Sequence, residues 1–293
     1  MPPTAHTPTL VAHMAVLSGG HRPNSIGAIR ECIERGVPRI EIDIHSLEGG
    51  DYVVTHDRKL EQETTGRGSV GSANADAVRA THFIDNAHDR PALLTEVSAL
   101  AANSDMQIQL DLKDWRPLTA ARTQGLLDAV APIRDRVIVS SGQDWNLRSL
   151  AATGAVTTGF DPGLYIDSAG EPYYLPRHLG AYNYRDDHPL ALNRTVPVAE
   201  YLEQRFEQLT LLAPASREWF ISYRLVLQML DDGFDAASWL RARDIDPNIW
   251  TLDYDGAQTL AAYDRLAAAG VARVTTNTCL AWEDALSARP ASR

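Results

Sequence analysis

Residues 21–57 read HRPNSIGAIRECIERGVPRIEIDIHSLEGGDYVVTHD, and their pattern decides the fold. Ile26, Ile29 and Ile33 recur at helical spacing behind Asn24 or Ser25, either of which can cap a helix, and Gly36 stops it. Residues 39–44 then alternate, with Ile40, Ile42 and Ile44 on one face and Glu41 and Asp43 on the other. Gly49-Gly50 turns the chain into a short second strand, YVVT, which delivers His56. A helix feeding a strand with one apolar and one acidic face is the repeat unit of a parallel sheet covered by crossover helices.

Working outward, the same unit recurs. An apolar run at 10–17 (LVAHMAVL) reads as a first strand, ended by Ser18-Gly19-Gly20. Downstream, strands are expected at 106–112, 136–140, 156–160, 219–223, 248–252 and 272–276, with helices at 92–102, 119–130, 145–152, 199–212, 225–243, 256–269 and 281–288. Some eight strands alternating with helices fit a (β/α)8 TIM barrel better than a doubly wound open sheet, because S-G-G-H-R-P-N after the first strand is no dinucleotide fingerprint. The expectation is one barrel domain over residues 1–293, with a small insertion at 58–91 and a long loop at 161–197. That loop holds five of the ten tyrosines, which suits a lid, an oligomer contact or a lobe packed on the barrel.

Composition narrows the function. A net charge of −11 argues against a broad grip on nucleic acid or an anionic membrane. Cys32 and Cys279 are the only cysteines and have no zinc-site spacing, and Cys32 reads as a buried free thiol. Without a signal-peptide pattern or a membrane-spanning run, the expectation is a cytoplasmic protein with no stable membrane insertion. The pattern leaves the oligomeric state open. Only two of 27 basic residues, Lys59 and Lys113, are lysine, so a lysine in this chain stands out.

The polar residues gather at strand ends. His21 follows the first strand, Glu41 and Asp43 lie near the end of the second, and Asp111 and Lys113 close the third. Trp250 and Asp253 close the seventh, and Asn277 the eighth. In a barrel these are C-terminal strand ends, where active sites form. Residues two apart on a strand point the same way, ~7 Å apart, so Glu41 and Asp43 can reach one ion, with Asp111 as a third carboxylate. An all-oxygen set suits Mg²⁺, with Ca²⁺ or Mn²⁺ as alternatives, better than zinc. His21 and His56 lack zinc-type partners and suit acid–base work, since an ordinary imidazole titrates near neutral pH. Lys113 is read as a compact cation beside the ion, and His45 as a neighbour of the acids. His6, His13, His82, His88 and His178 are read as surface, loop or packing residues.

These residues resemble a known family. The segment DYVVTHDRKLEQETTGRGSV (51–70) is similar to the H-D segment of glycerophosphodiester phosphodiesterases, and the E-x-D and W-T strands also fit that family. The family's H-R-G, loop and P-E-N-T-like helix start is here His21-Arg22 running straight into Pro23-Asn24-Ser25. The step of 20 residues from His21 to Glu41 resembles the sphingomyelinase D/phospholipase D branch of the superfamily. That branch's H-x-x-N, E-x-D, D-L-K, W-T-x-D and T-N motifs read His21–Asn24, Glu41–Asp43, Asp111–Lys113, Trp250–Asp253 and Thr276-Asn277. The cysteine pair of its toxin-like members is absent.

The resemblance implies a metal-dependent phosphodiesterase acting on a small glycerophosphodiester or a lysophospholipid. His21 would be the base, His56 the acid, Lys113 the charge support, and Glu41, Asp43 and Asp111 the metal ligands. Arg22, Asn24, Trp250, Asp253 and Asn277 would surround the substrate. Cleavage through a cyclic phosphate, headgroup release of the sphingomyelinase D type, and a silent phosphate-binding barrel are the alternatives.

Overall fold

The computed structural model describes residues 7–170 and 176–289. Eight strands, β1 Thr9–Ala12, β2 Arg39–Ser46, β3 Gln107–Leu112, β4 Val137–Ser141, β5 Thr157–Phe160, β6 Glu218–Ser222, β7 Asp246–Trp250 and β8 Arg273–Thr276, alternate with helices. The principal helices are α1 Ile26–Glu34, α2 Leu94–Ala101, α3 Ala120–Val130, α4 Asp144–Ala151, α5 Val198–Leu212, α6 Tyr223–Asp231, α7 Ala257–Ala268 and α8 Cys279–Ser287. The sheet runs β1-β8-β7-β6-β5-β4-β3-β2 and closes through β1–β2, giving the (β/α)8 barrel expected from the alternation. Among the described residues, no helix is long and apolar enough to cross a membrane.

The chain falls into two compact units. The first holds Leu10–Val139, Ser149–Thr157 and the residues from Thr276 onward. Its core lies on the outer face of β2 and β3, where Ile40, Ile42, Ile44, Ile108, Leu110 and Leu112 meet Ile29 and Cys32 of α1, Val97 of α2 and Leu126 of α3. Each fully buried aliphatic side chain contributes about 1.5–3 kcal/mol. Ser25 caps α1 by accepting from the Ala28 amide at 3.2 Å. All eight residues of β2 are buried, the isoleucines against helices and the acids on the opposite, barrel-interior face.

Two sequence expectations need correcting. The apolar run at 10–17 is not one strand: β1 stops at Ala12, and His13–Ala15 forms a 3-10 turn in which Met14 (φ 50°) and Ala15 (φ 57°) are left-handed. The helix expected at 225–243 breaks at Gly233 (φ 85°), where the Phe234 amide donates back to Met229 O at 2.8 Å, and resumes at Ala236–Arg241. The insertion at 58–91 carries short helices at Leu60–Glu63 and Ala75–Arg79 over a small cluster of Leu47, Val53, Leu60, Val70, Val78 and Leu93.

The second unit holds the residues up to Thr9 together with Ser140–Arg148 and Thr158–Thr275. Within its long connection, a two-residue ladder pairs Asp167–Ser168 with Tyr184–Arg185. Tyr165 and Tyr184 donate to Asp144 at 2.5 Å and Asp232 at 2.6 Å, while Tyr182 stacks on Tyr201 at 4.0 Å. These three tyrosines are packing residues; Tyr173 and Tyr174 lie outside the described residues.

Candidate active site

The parallel register of β2 on β3 sets Asp43 beside Asp111 and Glu41 beside Gln109. One oxygen each from Glu41, Asp43 and Asp111 lies within 4.8 Å of the other two. The Lys113 amide donates to Ile44 O at 3.0 Å, extending the ladder past the end of β3. Its ammonium lies 3.0 Å from Asp43 Oδ1 and 2.5 Å from Asp111 Oδ2. Asp114 closes this end by accepting from both the amide and the hydroxyl of Ser46, each at 2.8 Å.

The electrostatics follow from burying like charges. Burial, then Asp43 and Asp111, push the Glu41 carboxyl well above the ordinary carboxylate range, against Lys113 and the Met14 amide. Burial also penalises the Asp43 carboxylate, but Lys113, His56 and Asn24 outweigh it and hold the group below its usual value. For Lys113, burial opposes the charge and is overcome by Asp111, Asp43 and Glu41, which hold the ammonium well above its usual range. Three carboxylates against one ammonium leave excess negative charge in a buried pocket, and the donors are all hard oxygens. That set fits a divalent cation such as Mg²⁺.

The left-handed turn after β1 supplies a histidine that the sequence reading set aside. His13 Nδ1 donates to Asn277 Oδ1 at 2.8 Å, and Nε2 lies 3.8 Å from Glu41 Oε2. The Met14 amide donates to the same Glu41 oxygen at 2.9 Å. His21, by contrast, is exposed, with its ring over Gly27, where an added Cβ would sit 2.6 Å from Nδ1. No hydrogen bond or ion pair among the described residues holds it.

Three residues expected to surround the substrate face protein instead. Asn24, 2% exposed with φ 59°, donates from Nδ2 to Asp43 Oδ2 at 2.8 Å and accepts from the Asp43 amide at 3.2 Å. Asn277 holds His13. Arg22 donates from Nε to Asp85 at 2.6 Å, with its guanidinium 3.9 Å from the Phe83 ring centroid, so it ties α1's entry to the insertion.

His56 is where the sequence put it, half-exposed after the short strand Tyr52–Val54. Its Nδ1 lies 3.4 Å from Asp57, and its carbonyl accepts from Nε2 of buried His45 at 3.2 Å. Burial is the leading cause holding the His45 imidazole below its usual value, against this hydrogen bond, which favours the charged form. His56, Asp57 and Glu63 form a second, more exposed group, in which Glu63 accepts from the Thr55 hydroxyl. Trp250 ends β7 in the other unit, its indole N–H buried with no partner among the described residues, and Asp253 follows three residues on.

Comparisons with known proteins point to phosphoric diester hydrolases. Residues 17–151 match the model of the glycerophosphoryl diester phosphodiesterase family. A glycerophosphodiester phosphodiesterase from Caldanaerobacter subterraneus is 26% identical over 178 residues, covering 58% of this chain and 71% of that protein. The glycerophosphodiester phosphodiesterase structure from Thermotoga maritima superposes with a TM-score of 0.64 at 16% identity, over 96% of this chain and 100% of the other. A phosphodiesterase from Oleispira antarctica, in complex with the product sn-glycerol-3-phosphate, superposes with a TM-score of 0.63 at 15% identity, over 96% and 98%. At such identities the structural likeness speaks to the fold, and the family match covers residues 17–151, a little under half of the chain.

Proposed function

We propose that this chain cleaves glycerophosphodiesters with a divalent cation and two histidines, His13 and His56. The observation that carries the reading is the cluster of Glu41, Asp43 and Asp111 around Lys113, with His13 set against Glu41. Glu41, Asp43 and Asp111 would hold the cation, which when bound polarises the phosphoryl oxygens. Lys113 offsets charge developing on those oxygens.

His13 replaces His21 as the base in this reading. Asn277 Oδ1 accepts a hydrogen bond from Nδ1–H, so Nε2 keeps its lone pair and can take a proton from the nucleophile. The nucleophile is a glycerol hydroxyl next to the phosphate, giving a cyclic phosphate, or a water, giving glycerol phosphate directly. In either case His56 protonates the leaving alcohol as the P–O bond breaks. Counted from His13, the chain has the histidine, the loop and a Pro23-Asn24-Ser25 helix start in the family's order, with Met14-Ala15 standing where the family has R-G. The short spacing that pointed toward the sphingomyelinase D branch was measured from His21, which does not touch the acids.

The test is cleavage of glycerophosphocholine with Mg²⁺ by wild type and the His13→Ala, His56→Ala and His21→Ala variants. His13→Ala and His56→Ala should each lose about 10²–10⁴-fold, with His21→Ala close to wild type. Near-wild-type rates in both of the first two would sink the assignment. Phosphorus NMR on the early product separates the cyclic from the hydrolytic route.

A further inference from the structure

Two residues that the chemistry leaves unused stand at the edge of the site. The Arg58 guanidinium stacks 4.2 Å from the centroid of the Trp115 ring. Trp115 is 42% exposed, and the other strongly exposed large hydrophobic residues among those described, Ile84, Leu179, Leu192 and Leu211, are all aliphatic. Arg58 lies two residues after His56 and Trp115 two after Lys113, so each is within ~7 Å of backbone from a proposed catalytic group.

Both stems are pinned while the side chains face water. The Arg58 carbonyl accepts from the Val70 amide at 2.9 Å, and Asp114, adjacent to Trp115, is locked onto Ser46 by two 2.8 Å bonds. An exposed indole gripped by a guanidinium between two fixed stems is a preorganised surface.

We propose that Arg58 and Trp115 form the headgroup subsite and select a hydroxylated polyol headgroup over a quaternary ammonium. The inference rests on the proposed reaction: a proton delivered by His56 goes to the leaving alcohol, so the rest of that alcohol lies on the Arg58 side. A stacked guanidinium keeps its in-plane N–H donors free for hydroxyl oxygens. It also covers the indole face that a quaternary ammonium would need and repels its charge.

The test compares kcat/KM for glycerophosphoglycerol and glycerophosphoinositol with that for glycerophosphocholine, in wild type and in Arg58→Met, Trp115→Leu and Arg243→Met. Arg243 makes the same kind of stack, 3.6 Å over Trp239, on the helix Ala236–Arg241 and its end, and serves as the control. Wild type should favour the polyols about fivefold or more, Arg58→Met should bring the ratio near one by raising glycerophosphocholine turnover, and Arg243→Met should leave it unchanged. Equal losses on all three substrates in Arg58→Met, or a wild-type preference for glycerophosphocholine, would overturn the subsite. Should wild type cleave none of the three with Mg²⁺, Mn²⁺ or Ca²⁺, the reaction reading fails, and fluorescence decides the subsite separately. Saturable quenching by glycerophosphoinositol in wild type, absent in Trp115→Leu and Arg58→Met, supports it; identical titrations overturn it.

Discussion

Asp43 and Asp186 are each 1% exposed, one in each compact unit, and their surroundings are opposite in kind. Asp186 accepts from Arg205 Nε and the Tyr201 hydroxyl, both at 2.7 Å, and from the His188 amide at 2.8 Å. Its charge is matched, and burial together with Asp186 pushes the Tyr201 phenol up so that it stays a donor. Asp43 has Lys113 and Asn24, but it shares its pocket with Glu41 and Asp111. Buried charge of one sign is costly, and it persists where an incoming group will use it. In the proposed reading, the paired aspartate belongs to the scaffold and the crowded one to the chemistry.

The largest expected effect breaks the crowded side. Asp43→Asn should lower phosphodiesterase activity on the order of 10⁴-fold in saturating Mg²⁺, while thermal melting without metal stays near wild type. Arg205→Leu should do the reverse, costing about 3–5 kcal/mol in a denaturant titration by stranding the Asp186 charge, with activity per folded molecule retained. If both variants lost activity and stability alike, the contrast between the units would collapse.

A subtler effect comes from Glu41, whose carboxyl is raised in the folded state above its unfolded value. A raised carboxyl stabilises the fold below the unfolded pKa, and that contribution is lost as pH rises through the folded pKa. Metal-free wild type should therefore melt a few degrees lower at pH 8 than at pH 5 relative to Glu41→Gln, and Mg²⁺ should restore the difference at pH 8. The smallest expectation concerns Cys32. Buried, with its thiol pushed up to about 12, it should resist thiol reagents until the chain is unfolded.

The acids and Lys113 were legible because a period-two pattern fixes which side chains share a face, and strand ends fix where they gather. His13 was not, since it sits inside LVAHMAVL and a run that apolar reads as uninterrupted strand. Its one signal was distance: counted from His13, the chain has room for a loop before Pro23-Asn24-Ser25, and counted from His21 it has none. Asn24 and Asn277 were placed at the right spot with the wrong partner. Sequence marks a polar residue at a rim but does not say whether its amide turns to substrate or to a neighbouring side chain. For Tyr165 and Tyr184 the sequence left a lid, an oligomer contact and a packed lobe open, because a phenol can meet solvent or, as these two do, donate inward to Asp144 or Asp232.

The turn that carries His13 has a further consequence. Met14 and Ala15 are consecutive non-glycine residues in the left-handed region, each unfavourable by roughly 1–2 kcal/mol. Glycine at position 15 would adopt that backbone without strain, yet it would also open many other conformations to the hinge. The two bulkier residues, with the Met14 amide tied to Glu41, work as a sprung latch: tension in the backbone is exchanged for a fixed imidazole, and an Ala15→Gly chain would sit more easily and aim less well.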